Sequence, residues 1–167
     1  MTTAMLAAGA DRRSLRRYLT INTMVGAAIN TLMSLAFTWL FFHGHARVPS
    51  TGGASLVTDA IPQGFMVALM SVLPVSLLTR ARARRGAPLP LAPPGGWRGP
   101  RALWLRAVLV AVATAAVGFV GFRLLAPPLA PAGLTFAHTL LLKAIYGAAL
   151  SSLIIPFAAI AALKDAA

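Results

Sequence analysis

Asp59 and Lys143 are the residues best placed to do chemistry in this chain. Each stands directly before an uncharged apolar stretch, residues 60–79 and 144–163, so the two opposite charges fall at matching points of two similar segments. A carboxylate and an ammonium at equal depth can pair between helices, and charges at the edge of a membrane span are costly enough to suggest function. Both residues also have plainer uses. Asp59, three residues before Pro62, can cap a helix N-terminus, and Lys143 can snorkel on its own. A structural clasp, two independent roles and a ligand or proton site all remain open at this level.

His43 and His45 lie just past the first apolar run, and His138 near the start of the last helix, on the same side as Asp59 and Lys143. With Asp59 they form a possible metal set, because imidazole and carboxylate suit zinc or copper. The His-x-His spacing is a weak signal alone, and none of the three lies where an axial haem ligand would have to be.

A third pattern is longer. Asn22, Gly26, Asn30, Ser34 and Thr38 recur every fourth residue, which keeps them on one helical face. Small residues let backbones approach closely, and asparagine can hydrogen-bond across helices. The pattern predicts a packing seam against the other spans or against another subunit; the alternative is a stripe that lines a pore or holds a solute.

Enzymatic constellations are missing. There is no cysteine, so disulfides, thiolate metal sites and thiol nucleophiles are excluded. Asp11, Asp59 and Asp165 are the only acidic residues, which leaves a monomer without paired carboxylates inside a membrane. No nucleophile elbow, phosphate loop, zinc-protease motif or dinucleotide fingerprint occurs. Neither an enzyme nor a cofactor is expected.

The elements that carry these residues read as membrane spans. The 167 residues are 58% hydrophobic and only 11% charged, with mean hydropathy +0.78, whereas a soluble domain carries about 25% charge. The net charge of +12 does not point to nucleic acid, because the arginines punctuate apolar runs instead of lining a soluble face. Four runs match the hydrocarbon thickness, at about 19–42, 60–79, 103–125 and 144–163. The fourth is expected to be the inner part of a longer helix. Arg106 and Arg123, near the ends of the third, are expected to snorkel to the headgroups.

The expected fold is therefore all-α: a polytopic integral membrane protein, a four-transmembrane-helix bundle built from two helical hairpins. Residues 1–18 form a basic N-terminal segment, 19–79 the first hairpin, 80–102 an Arg/Pro/Gly-rich linker, and 103–167 the second hairpin with a short tail. A signal peptide is the lesser reading of the N-terminus, since the apolar run is too long and no clear cleavage site follows.

Orientation follows from twelve of the fifteen basic residues. Arg12, Arg13, Arg16 and Arg17 precede span one; Arg80, Arg82, Arg84, Arg85, Arg98, Arg101 and Arg106 lie between or beside spans two and three; Lys164 follows span four. Arg47, Arg123 and Lys143 alone fall on the other side. The positive-inside rule then puts both termini in the cytoplasm of a bacterial-type inner (plasma) membrane. Trp97 and Trp104 at one interface, and Trp39, Phe41 and Phe42 at the other, agree with aromatic belts.

The four arginines at 80, 82, 84 and 85 are expected to extend span two by a turn and to meet anionic lipid headgroups, at about 1 kcal/mol per basic residue. Topology alone also accounts for such a run. Pro88, Pro90, Pro93, Pro94 and Pro100 then stop the helix and leave an extended, mobile linker. Pro74 and Pro156 sit deep in spans two and four and are expected to kink them, with Ser71 and Ser152 as candidate partners for the freed carbonyls. Residues 69–74 faintly echo 150–156, which fits either a parallel repeat or two hairpins that are merely alike.

The function expected is a small non-catalytic membrane protein, an oligomeric or accessory subunit acting through helix–helix packing in the bilayer. Its partners would be the lipid bilayer with anionic lipid at the cytoplasmic face, and further copies or a larger membrane complex. The alternative is a homo-oligomeric small-solute or ion transporter or channel that uses the span-one stripe.

Overall fold

The computed structural model describes residues 2–95, 100 and 102–166, with side chains from residue 11 onward. Trp97, Arg98 and Arg101, which enter the orientation argument, lie outside the described residues. The order is α1 (Thr2–Phe42), β1 (Arg47–Val48), α2 (Leu56–Arg84), α3 (Leu103–Leu129), β2 (Leu134–Thr135) and α4 (Phe136–Ala166). The shortest helix has 27 residues, or about 40 Å at 1.5 Å per residue, so all four exceed a hydrocarbon core of about 30 Å. All four are apolar enough to cross it. The basic N-terminal segment is helical and continuous with the first span.

Local sequence sets the helix ends. Ser55, extended at φ −133°, caps α2 and accepts from the Thr58 N–H at 3.3 Å. The cap is therefore Ser55 and not Asp59, which lies within the first turn with its carboxylate free for another partner. Arg82 and Arg84 occupy the last turn, where cations complement the helix dipole. Thr135 opens α4, accepting from the His138 N–H at 3.3 Å. Both α2 and α4 run unbroken through Pro74 and Pro156. The serines nearby do not serve the carbonyls those prolines free. Ser71 and Ser152 donate to their own i−4 carbonyls, Val67 at 2.7 Å and Ala148 at 2.8 Å, because the hydroxyl reaches back one turn along its own helix.

The two helices of each expected hairpin, α1 with α2 and α3 with α4, are not each other's closest neighbours in space. The backbones approach most extensively where α1 meets α4 and where α2 meets α3 and α4, with a shorter contact between α1 and α2. Each leading helix thus lies on the returning helix of the other half, and α2 and α4 form the centre. The two main contacts, α1 on α4 and α3 on α2, exchange with each other when the halves are exchanged, whereas the α1–α2 contact has no equal between α3 and α4.

Small residues make these approaches possible. A Cβ at Gly64 would meet the Ala115 Cα at 3.2 Å, and one at Gly147 would collide with the Ser34 side chain. β1 and β2 join the two loops at one end of the bundle, pairing Arg47 with Thr135 and Val48 with Leu134 antiparallel. This clip leaves no signature in the sequence. Gly133 permits it, since its φ is +74° and a Cβ there would collide with the Val48 carbonyl. Ser50 adds a hydrogen bond to the Ala130 carbonyl. Beneath the clip, Phe42, Val48, Leu56, Val57 and Ala126 form an apolar plug.

The polarity is inside out. Leu129 is 78% exposed and Phe157 71%, while Asn30, Ser71, Thr79, Arg106, Lys143 and Ser151 are buried. A soluble protein would not present so much apolar surface; a bilayer-embedded one has to.

Candidate functional site

Polar groups inside the bundle form three tiers. At the clip end, the Lys143 Nζ is 2.8 Å from the Asp59 Oδ2, with the lysine fully buried and the aspartate 10% exposed. Asp59 reaches it because α2 begins one turn earlier, at Ser55. The ammonium also stands 4.6 Å from the Phe122 ring centroid, over its face. Phe122 in turn meets Tyr146 edge-on at 5.1 Å. The two charges seen at matching points in the sequence are thus brought together in a dry, aromatic-sided site.

The middle tier holds the stripe. Asn30 donates from Nδ2 to Ser71 of α2 at 3.0 Å and to Ser151 of α4 at 2.8 Å. Gln63 donates from Nε2 to Ser34 at 3.0 Å and to the Lys143 carbonyl at 3.3 Å. Thr38 donates to the Ser34 carbonyl at 2.7 Å, and Asn22 to the Tyr18 carbonyl at 2.8 Å. Gly26 faces Ile155. The stripe therefore packs against the chain's own α2 and α4. Gln63 is the chain's single glutamine, and that isolation in an apolar run was the available signal for its part in the network.

The third tier lies toward the linker. Arg106 is 1% exposed and its Nη2 stands 2.9 Å from the Asp165 Oδ2; Arg80 reaches the same oxygen at 3.0 Å. Arg106 does not snorkel. It sits on the face of α3 turned toward α4, and the carboxylate near the chain end stabilises its guanidinium in place. Arg123 is exposed, and so are Arg82, Arg84 and Arg85, while Arg80 is half-buried on Asp165. Tyr18 and Thr79 share a hydrogen bond of 2.6 Å. Asp11 accepts from the Leu91 N–H at 3.2 Å, and Lys164 donates to the Gly95 carbonyl, so the linker is tied at two points.

The histidines stay apart. His43 lies on Trp39, 4.9 Å between ring centroids; His45 meets Phe42 edge-on; His138 bonds Thr135 at 2.8 Å; all three are exposed. Asp59, the fourth member of the suggested metal set, is held by Lys143. Among the described residues no three His, Cys, Asp or Glu side chains gather.

A polar hollow of about 420 Å³ lies beside Arg80, Arg84 and Asp165, and two apolar grooves run between α3 and α4. One of about 510 Å³ runs past Gly118, Phe122 and Tyr146, and one of about 300 Å³ past Arg106 and Phe157. No family model, curated protein or solved structure matches the chain.

Proposed function

We propose that this chain is a small non-catalytic protein of a bacterial-type inner membrane, with both termini cytoplasmic, acting as an oligomeric or accessory subunit through helix–helix packing. The observation that carries this reading is where the polar groups go. The span-one stripe bonds to α2 and α4 of the same chain, so the surfaces left for association are the apolar outer faces of α1 and α3. Basic residues support the orientation: Arg82, Arg84, Arg85 and Lys164 collect at the linker end, against Arg47 and Arg123 toward the clip end. The linker end then also meets anionic lipid.

The test is crosslinking and native mass spectrometry in membranes. A stoichiometric assembly, with itself or with one other membrane protein, is the expected result. A monodisperse monomer that co-purifies with nothing would overturn the reading. Orientation is checked separately, because the cysteine-free background lets a single Cys at exposed Thr51 report its side. Labelling from the periplasmic side is expected.

Transport along the stripe is the weaker reading, since the hydroxyls and amide nitrogens that would meet a solute are already bonded within the chain. Solute flux abolished by Asn30→Leu in a folded protein would restore it.

A further inference from the structure

The gap between α3 and α4 leads to a cluster of charge. These two helices are not among the pairs whose backbones approach extensively, and the apolar groove of about 300 Å³ runs between them. Leu153, Phe157 and Ala161 line it from α4, recurring every fourth residue, and the next position on that line is Asp165. Asp165 belongs to the polar hollow of about 420 Å³, whose other charged walls are Arg80 and Arg84 of α2. Arg106 joins the two spaces. It lines the groove, and its Nη2 stands 2.9 Å from the Asp165 Oδ2.

Charge and depth together define what fits. Arg80, Arg84 and Arg106 set three guanidinium groups against the one carboxylate of Asp165, an excess of positive charge among the described side chains. The hollow lies at the end of α2, where headgroups meet a span, while the groove descends along α4 toward hydrocarbon depth. An acyl chain in the groove supplies the dispersion contacts that α3 and α4 do not give each other. Apolar contact in lipid does not discriminate one lipid from another, so selection falls to the headgroup.

We propose that this corner holds one anionic phospholipid, with its phosphate in the hollow at Arg84 and Arg80 and one acyl chain in the groove. The site rests on the reading that the linker end meets lipid headgroups, and narrows it from a basic surface to one place. A zwitterionic lipid brings its own cation against the arginines, and a free phosphate leaves the groove unused.

The full chain, delipidated in a neutral detergent, is titrated with phosphatidylglycerol and read by native mass spectrometry, which is blind to orientation. One retained lipid per chain is expected, and phosphatidylcholine with the same acyl chains should bind more weakly. Arg84→Gln should lower phosphatidylglycerol affinity roughly fivefold, the effect of one basic residue near a headgroup. Arg85→Gln removes the same charge from the same exposed helix end, but outside the hollow, and should leave affinity unchanged. Phosphatidylglycerol with a photoreactive acyl chain should label Leu153 or Phe157. Equal losses from the two arginine variants, no preference over phosphatidylcholine, displacement by glycerol 3-phosphate, or labelling confined to α1 each overturns the proposal. A chain that binds no phosphatidylglycerol yet assembles in membranes loses this site and keeps the subunit reading; a lipid-binding monomer does the reverse.

Discussion

Lys143 shows how a buried charge depends on its partner. Its ammonium has no solvent, and its stability rests on Asp59 and the face of Phe122. Lys143→Ala leaves a carboxylate uncompensated and is expected to cost about 3–5 kcal/mol. Replacing Asp59 and Lys143 together by leucine should recover most of that loss, measured by unfolding in mixed micelles. A double variant as unstable as the single one would show that the pair is not the source. The sequence put these two charges at corresponding places, but it could not tell a pair from two separate roles, because depth alone does not say which helices are neighbours. Arg106 was harder still. Its position near a span end suits snorkelling, and only the arrival of Asp165 from a helix end 59 residues away makes burial affordable.

Elements were legible where apolar length decides them, and less so where packing does. Four spans, the Arg84 end of α2 and the early start of α4 follow from composition, capping and proline chemistry. Neighbour choice does not, since an apolar face in lipid packs by shape and small residues, not by the hydrophobic effect. Gly147 illustrates this: a side chain there meets Ser34 and the Asn30 carbonyl. Gly147→Val should separate α1 from α4 and cost about 1–3 kcal/mol by overpacking. A melting temperature unchanged from wild type would contradict the close approach. The two-residue clip was invisible because strands that short carry no periodicity. Gly133→Ala, at φ +74° and against Val48, is expected to open it. A Cys pair introduced at Val48 and Leu134 should crosslink readily in the wild-type background and poorly with Gly133→Ala.

On the scale of the whole molecule, the halves interlock. Each lacks its principal packing partner when alone, so residues 1–95 and 96–167 expressed separately should be degraded, and co-expressed should accumulate together. Independent accumulation of either half would restore the simpler picture of two hairpins side by side. The same interlocking bears on biosynthesis. Asn30 is separated by 121 residues from Ser151, and at about 5–20 residues per second its second acceptor is synthesised roughly 6–24 s after it. Even once α2 has brought Ser71, one amide hydrogen of Asn30 stands in the bilayer without its acceptor, so the nascent chain must be sheltered, by the insertion machinery or by transient self-contact, until α4 arrives.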